Sequence, residues 1–298
     1  MATEQSTGRP APAAPADGRE DRAARGPRAD CTVDRSGDLA VRVVLPGAAA
    51  GAQLLLRRRG DEQEVRVPLE PAAPGDGDAL RAVLPAAVRL AEGRWDAYAL
   101  PAPGAGRLRL APGLNDLRAL VDQERDPGVS PVAARIPYAT KHANLSVRAW
   151  LRPAHAEVEE LLVTGAGTAV QARLLGARLS DDAVVEARCR QDPRQVRQAP
   201  ARRAGEGEED RFTFTVPHRE LAAARSGTHD TWDLWLLPAP GAGAVRVGRL
   251  LDDVPDRKKI FTYPADSLDT PRGRVRVQPY YTADNDLSVT VSDLPAPE

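Results

Sequence analysis

A histidine and a glutamate two positions apart form the most suggestive candidate metal site in this sequence. His155 and Glu157 lie in an alternating stretch, where a spacing of two puts both side chains on one face of a β-strand. With a third ligand, this pair could hold a metal ion. The other histidines, His142, His218 and His229, show no ligand spacing to the pair. We therefore favour a surface or capping role for His155 and predict no metal site.

Two other segments match known chemical motifs only in part. Gly165-Ala166-Gly167 follows an apolar run, but the third glycine of a dinucleotide-binding motif is replaced by Val170, which continues a strand. We predict a hairpin turn there. Asp252-Asp253 could bind a metal or a sugar hydroxyl, but the basic residues at 257–259 favour a turn with local ion pairs. The sequence contains no nucleophile elbow or Walker loop, so it predicts no catalytic residue and no cofactor.

These residues belong to a chain that contains one unit twice. The segment Trp95 to Gly106 returns as Trp232 to Gly243, and both copies end in Leu-Pro-Ala-Pro-Gly-Ala-Gly. A second element, Pro-Tyr-x-Thr followed by Asn/Asp-Leu-Ser-Val, begins at Pro137 and again at Pro279. A unit of this length is a domain rather than a solenoid repeat. We therefore predict that the equivalent Trp95 and Trp232 anchor the two domain cores.

Short alternating runs separated by Pro, Gly and Asp turns predict an all-β fold. In the run from Glu64 to Leu69, apolar side chains alternate with charged ones, as in a strand with one solvated face. Many such strands are typical of a sandwich. We predict two tandem immunoglobulin-like β-sandwich domains, at residues 30–127 and 128–298, after a disordered tail at 1–29. The second domain is predicted to contain a mobile loop near 190–210 and a C-terminal strand pair.

Composition excludes several classes of partner. The 298 residues include 41 basic and 42 acidic side chains, so the net charge of −1 gives no reason to expect nucleic acid. The two cysteines, Cys31 and Cys189, are too few for a disulfide framework. No apolar stretch approaches the ~20 residues of a membrane span, and residues 1–29 lack the apolar core of a secretory signal. We expect a cytoplasmic protein that could act at the inner face of the membrane by docking on a membrane-bound partner.

The repeated motifs resemble a known family. They are the Trp-Asp-x-aromatic pattern, the stretch from Arg246 to Asp253, Tyr263-Pro264, and Tyr138-x-Thr before Asn144. They are similar to the accessory immunoglobulin-like regions of actinobacterial glycosyltransferases and glycerophosphotransferases that build teichoic-acid-type surface polymers. The resemblance covers most of residues 31–292 and implies a role in assembly. The catalytic domain of those enzymes, a doubly wound α/β unit, is missing from this chain.

Candidate binding residues surround Trp150, which has no aromatic equivalent in the other unit. Trp150 with Arg148 and Arg152 could form a sugar-stacking platform or an interface anchor, or could pack on the neighbouring domain, which we favour. Tyr138 and His155 complete the predicted binding surface.

We predict a non-catalytic binding or scaffold protein that acts with cell-surface glycopolymer biosynthesis enzymes. Its partner would be a protein, either a glycosyltransferase or a second copy of the chain. Two alternatives stay open. One is a pair of carbohydrate-binding modules that hold the glycan itself. The other is a transferase with a site at the domain junction, built from residues such as Trp150, His155, Glu157 and Asp181.

Overall fold

The structure is a computed structural model that describes residues 26–294 except Pro74, Glu124 and Glu206. Most of the predicted tail at 1–29 therefore lies outside the described residues. Its last two residues belong to the fold, because the first strand begins at Arg28 and Ala29 is fully buried. Strands make up 51% of the structure and helices 5%, so the predicted all-β class is confirmed.

The first unit contains eleven strands and one helical turn, with the following bounds. They are β1 (Arg28–Val33), β2 (Leu39–Val44), β3 (Gln53–Arg58), β4 (Glu64–Pro68), β5 (Glu70–Pro71), β6 (Ala79–Leu84), β7 (Gly93–Leu100), β8 (Leu108–Arg109), β9 (Ala111–Asp116), α1 (Arg118–Val121), β10 (Val132–Ala139) and β11 (Leu145–Arg152).

The second unit also contains eleven strands and one short helix, with a 3₁₀ turn at Arg257–Lys259. Its elements are β12 (His155–Thr164), β13 (Gly167–Leu175), β14 (Val184–Cys189), β15 (Val196–Pro200), β16 (Arg202–Arg203), β17 (Arg211–Val216), α2 (His218–Ala223), β18 (His229–Leu237), β19 (Val245–Gly248), β20 (Asp266–Thr270), β21 (Gly273–Tyr281) and β22 (Leu287–Asp293).

Both units have the strand order of an immunoglobulin-like sandwich. In the first, one sheet runs β5-β6-β2-β1-β9 and the other runs β10-β11-β7-β3-β4, with β8 also paired to β7. Strands β1, β2, β6 and β5 correspond to strands A, B, E and D, and β3, β7 and β8 correspond to C, F and G. In the second unit β12, β13, β17 and β16 take the first set of places, and β14, β18 and β19 the second. Strand β19 pairs with both β12 and β18, so it connects the two sheets.

Each unit has its own apolar core between its two sheets. Trp95 lies in the first core and Trp232 in the second, and each is no more than 2% exposed. The indole Nε1 of Trp95 donates to the Ala91 carbonyl oxygen over 3.0 Å. No partner for the indole nitrogen of Trp232 is found in the described part of the chain. The repeated tryptophans therefore occupy the core positions that their equivalence predicts.

The hairpin β10–β11 belongs to the first sandwich, which corrects the predicted boundary at 127/128. Strand β11 pairs with the first half of β7, and β8 pairs with the second half. Ile136, Val147 and Ala149 from this hairpin lie in the first core. The equivalent hairpin β21–β22 joins β18 in the second sandwich, so the predicted C-terminal strand pair is present there. The sheets place the junction between Arg152 and His155.

The segment near 190–210, which we predicted as one mobile loop, contains two short paired strands. Strand β15 pairs with β14 over five residues, and β16 pairs with β17. These strands are the equivalents of β4 and β5 in the first unit. Strand β16 consists of the exposed Arg202 and Arg203, and β15 lacks the regular alternation of apolar and charged side chains by which the other strands were predicted.

Candidate functional site

The two sandwiches are joined by one face of β11 and the turn between β21 and β22. Trp150 is only 1% exposed, and its Nε1 donates to the Asp284 carbonyl oxygen over 3.1 Å. Arg148 stacks on the Trp150 ring and donates to Asp284 Oδ1 at 2.6 Å. Arg152 donates to Asp286 Oδ1 at 2.8 Å. Three residues of the predicted binding surface are therefore covered by the second sandwich, and Trp150 is an interdomain contact rather than an exposed platform.

His155 and Glu157 do contact each other, but their contacts are internal. His155 is fully buried, and its Nε2 lies 2.8 Å from Glu157 Oε2. The Glu157 carboxylate also accepts the backbone N–H groups of Leu250 and Leu251, at 2.8 and 3.1 Å. A carboxylate that already accepts three hydrogen bonds is a poor metal ligand or general base. Through these hydrogen bonds, Glu157 holds the segment after β19 against the start of β12.

The residues proposed for a catalytic junction do not come together. Asp181 is an exposed side chain that pairs weakly with Arg203, over 3.4 Å. It does not line the cleft between the sandwiches described below. Within the described ranges, no group of three or more His, Cys, Asp or Glu side chains could hold a metal ion.

Tyr138 belongs to a row of side chains that occurs in both sandwiches. In the first sandwich, Tyr138 is the register partner of Ser146, Ser146 of Asp96, and Asp96 of Arg57. Asp96 Oδ1 accepts hydrogen bonds from Ser146 Oγ and from Arg59, at 2.8 and 2.6 Å. The row lies on the outer face of the sheet, opposite the core.

The second sandwich repeats the row with Tyr280, Ser288, Asp233 and Arg188 in the same register. Asp233 accepts hydrogen bonds from Ser288 Oγ at 2.7 Å and from Arg190 at 2.6 and 2.8 Å. Arg190 therefore donates to Asp233 as Arg59 donates to Asp96 in the first sandwich. Because both copies are built alike, the difference between their surroundings decides which one can bind a ligand.

The second copy lies in a cleft. This cleft of about 1050 Å³ separates the two sandwiches, and it is lined by Asp233 and Tyr280 of the row and by Arg190, which donates to Asp233. Arg152 and Glu92 of the first sandwich form part of its opposite wall. A cleft of this size at a domain junction is a common place for a ligand to bind.

A chain of alternating charges runs through this cleft from one sandwich to the other. Asp233 pairs with Arg246 at 3.5 Å, and Arg246 with Asp286 at 3.3 Å. Asp286 pairs with Arg152, which in turn pairs with Glu92 at 3.1 Å. The Nη1 of Arg246 is a buried donor, and no acceptor is found for it in the described part of the chain. The cleft therefore presents alternating donors and acceptors, and at least one donor is free.

The pKa values follow from these contacts. Burial alone would raise the pKa of the Asp233 carboxyl, but the hydrogen bonds from Arg190 and Ser288 and the charge of Arg246 outweigh it, and the net shift is downward. Burial would lower the pKa of the Arg152 guanidinium, but Asp286 and Glu92 reverse the direction. These groups therefore stay charged at neutral pH.

The aromatic rings of the cleft are largely covered by basic side chains, so they leave little free ring surface for a ligand. Arg188 and Arg246 lie over the Trp235 ring at 5.2 and 4.7 Å from its centre. Lys258 lies 5.8 Å from the centre of the Tyr280 ring. Cation–π contacts of this kind hold a guanidinium in place and favour its charged form. Tyr280 is half-buried, and a ligand could pack on its open edge.

Most residues of the cleft were not predicted from the sequence. Asp233 and Trp235 stand in the repeated Trp-Asp-x-aromatic pattern, which we interpreted as purely structural. Asp96 and Asp233 occupy equivalent positions in the repeat, and this equivalence was an indication that the position matters. A half-buried carboxylate on the outer face of a sheet needs a charged partner. Arg190 lay in the segment that we took for a loop. Arg246 and Asp286 could be recognised only once the hairpins were assigned to their sheets.

The fold and the cleft define a protein of two tandem β-sandwiches with a polar site at their junction. No protein-family model matches the chain, and no curated protein matches it by sequence. Neither helix in the described ranges is both long and apolar enough to cross a membrane.

Solved structures give weak similarities. S. aureus TarS is 12% identical, with 68% of this chain and 38% of TarS covered and a TM-score of 0.27. Pullulanase from Anoxybacillus sp. LM18-11, in complex with maltotriose, is 8% identical over 70% of this chain and 24% of that one, with a TM-score of 0.25. A tetra-tandem repeat in the extending region of a large adhesion protein is 9% identical, with 91% and 67% covered and a TM-score of 0.19. This chain thus spans well under half the length of TarS.

Proposed function

We propose that this chain is a non-catalytic binding protein that holds a carbohydrate chain in the cleft between its two sandwiches. The observation that carries the proposal is the alternating charge network of the cleft. Four cations, Arg152, Arg190, Arg246 and Lys258, face four anions, Glu92, Asp233, Asp284 and Asp286.

A charge-balanced cleft favours a neutral polyhydroxylated ligand over a polyanion. A phosphate-rich polymer gains most from an excess of Lys and Arg, which this cleft lacks. A sugar hydroxyl both donates and accepts, so it can bridge a guanidinium and a carboxylate that lie next to each other. The exposed guanidinium of Arg190 would then donate to a sugar oxygen. The open edge of Tyr280 would contact the apolar face of a pyranose ring.

The glycan assigned to the cleft also suggests a setting for the protein. A protein that binds a glycan without catalytic groups would act as an accessory to an enzyme of cell-surface glycopolymer synthesis, as the repeated motifs suggest. We place that role in the cytoplasm, at the inner face of the membrane where a membrane-bound glycosyltransferase would recruit it.

The experiment is a glycan array followed by calorimetry on the best-bound glycan, with a matched pair of variants. Arg190→Ala and Arg59→Ala each remove a guanidinium from an equivalent Asp, but only Arg190 lines the cleft. Both side chains are about equally exposed, at 45% and 44%. We expect Arg190→Ala to weaken binding by about tenfold or more, as for a charged hydrogen bond, and Arg59→Ala to leave it unchanged. Equal effects of both variants, or no bound glycan, would refute the proposal.

A second candidate is a scaffold that acts by protein contact. Ile260 and Phe261 are adjacent in sequence and are 63% and 41% exposed. Neighbouring exposed apolar side chains favour a protein contact such as self-association. Sedimentation velocity over a concentration series tests this role. A dimer that is lost in Phe261→Ser would support it, whereas a monomer at every concentration would exclude self-association.

A further inference from the structure

A second cavity, on the first sandwich near the junction, is lined by three arginines. It has a volume of about 330 Å³, within the range of small-ligand sites. Arg89, Arg125 and Arg135 enter it from three different segments, and Leu120, Val129 and Leu175 are among the side chains of its apolar wall. It shares no lining residue with the cleft proposed for the glycan.

The three guanidinium groups are anchored by backbone carbonyls rather than by carboxylates. Arg89 donates to the Pro131 oxygen at 3.0 Å, and Arg125 donates to the Ala133 oxygen at 2.8 Å. Arg135 is 9% exposed and donates to four carbonyl oxygens, of which Gly37 O is the nearest at 2.6 Å. No ion pair to any of the three is found in the described part of the chain. Carbonyl oxygens fix a guanidinium in place without neutralising its charge.

The three guanidinium groups therefore have no direct ion pair within the described residues, although Glu157 acts on Arg125 at longer range. Burial lowers the pKa of the Arg135 guanidinium, and repulsion from Arg89 adds to that shift while Asp38 opposes it. Asp38 itself accepts the Ala86 backbone N–H at 2.7 Å, and Asp126 at the cavity rim accepts the Gly128 N–H at 2.8 Å. Both carboxylates are thus engaged elsewhere. An anion bound between the arginines would relieve their repulsion.

Two buried polar atoms at the cavity specify which anion fits. The Nε of Arg125 is a buried donor and the Oε1 of Gln123 is a buried acceptor, and neither has a partner in the described residues. The Gln123 amide is oriented by its Nε2, which donates to the Arg35 carbonyl oxygen at 3.2 Å. A ligand that satisfies both atoms must accept from a guanidinium and also donate a hydrogen bond. A phosphate group with one P–OH does both, whereas sulfate at neutral pH only accepts.

We propose that this cavity is a binding site for a phosphate group, held by Arg89, Arg125 and Arg135 and recognised through its P–OH by Gln123. The group is inorganic phosphate, which keeps a P–OH at neutral pH. A phosphate monoester has a second pKa of about 6, so it has mostly lost its P–OH at neutral pH and would leave Gln123 Oε1 unpaired. The proposal does not depend on the glycan cleft.

The test is calorimetry on the full chain with inorganic phosphate, glycerol phosphate and sulfate as separate probes. Above the second pKa of the monoester, about 6, we expect inorganic phosphate to bind, and sulfate and glycerol phosphate to bind about tenfold more weakly because Gln123 Oε1 stays unpaired. Glycerol phosphate binding as tightly as inorganic phosphate would overturn recognition through the P–OH. Equal affinity for sulfate and phosphate would overturn the proposed recognition, and no phosphate binding would overturn the site.

Variants separate the site from general charge effects. Arg89→Ala should weaken phosphate binding by about 10–100-fold, because it removes a charged donor without disturbing the core. Arg219→Ala is the matched control, since Arg219 is also exposed but lies on α2, away from the cavity. Arg135 is left intact because its four carbonyl contacts make it structural. If Arg219→Ala weakens binding as much as Arg89→Ala does, the binding is non-specific and the proposal fails.

Discussion

Replacing Trp150 by Ala should open the contact between the two sandwiches. The side chain is 1% exposed, so its removal leaves a large cavity between β11 and the 282–286 turn. Large-to-small changes at such buried aromatic positions cost about 3–5 kcal/mol of unfolding free energy. Trp150→Phe keeps most of the ring but leaves the Asp284 carbonyl oxygen without its donor, which should cost about 1–3 kcal/mol. The two variants thus separate packing from hydrogen bonding.

Two measurements show how much stability is lost and which part of the structure is affected. Chemical denaturation gives the loss in unfolding free energy, and hydrogen exchange with mass spectrometry reports on the 282–286 turn. In Trp150→Ala we expect the turn to exchange faster in the native state, because its contact with β11 is lost. Trp95→Ala is the control, since it removes the same side chain from the core of the same sandwich. It should destabilise by a similar amount without faster exchange of the turn.

The reasoning would be refuted by either of two results. Wild-type stability of Trp150→Ala would show that the indole contributes little packing, despite its burial. Equal exchange of the turn in Trp150→Ala and the wild type would show that the junction is held by the ion pairs of Arg148 and Arg152 alone.

Three further predictions concern the cores and the charged rows. Trp95→Phe should cost about 1 kcal/mol more unfolding free energy than Trp232→Phe, because only Trp95 has a hydrogen-bond partner to lose; equal denaturation midpoints would contradict this. The pKa values of Asp96 and Asp233 are lowered in the fold. Their contribution to stability should therefore be complete above the unfolded pKa of about 4 and be lost as the pH falls through the folded values. Urea midpoints measured from neutral to acid pH should fall less steeply in Asp96→Asn/Asp233→Asn; an unchanged slope would exclude the effect. Burial raises the pKa of the Cys31 thiol to about 12, so Ellman's reagent should modify Cys31 only after unfolding, as mass mapping would show; modification of the native protein would contradict the burial.

The repeat made the fold predictable because it exposes the same strand pattern twice. Trp95 and Trp232 mark strand F of each sandwich, and the alternating runs around them mark most of the other strands. The boundary was not predictable in this way, since a hairpin after a complete sandwich can join either neighbour. Only the pairing of β11 with β7 decides it, and that pairing is a long-range contact. The edge strand β15 was missed because it is short, ends in a proline and contains no regular alternation of apolar and polar side chains.

Residues that are the same in both units stabilise each sandwich, whereas residues that differ between the units join the two sandwiches. Asp96 and Asp233 are equivalent, and each anchors the same row of its own sheet. By contrast, the residues equivalent to Arg148 and Trp150 in the second unit are Thr290 and Ser292, which are too small to make such a junction. The interface is therefore formed by residues whose type differs from that of their equivalents in the other unit.

The same comparison explains why a ligand would bind at one row and not at the other. The row of the first sandwich does not line the cleft. In the second sandwich the row has a facing wall, because the unrepeated Arg152 brings the first sandwich against Asp286. Hydrogen bonds between two walls are shielded from water and therefore discriminate between ligands. The binding site thus arises from the junction and not from either sandwich alone, and a variant that opens the junction, such as Trp150→Ala, should also weaken glycan binding.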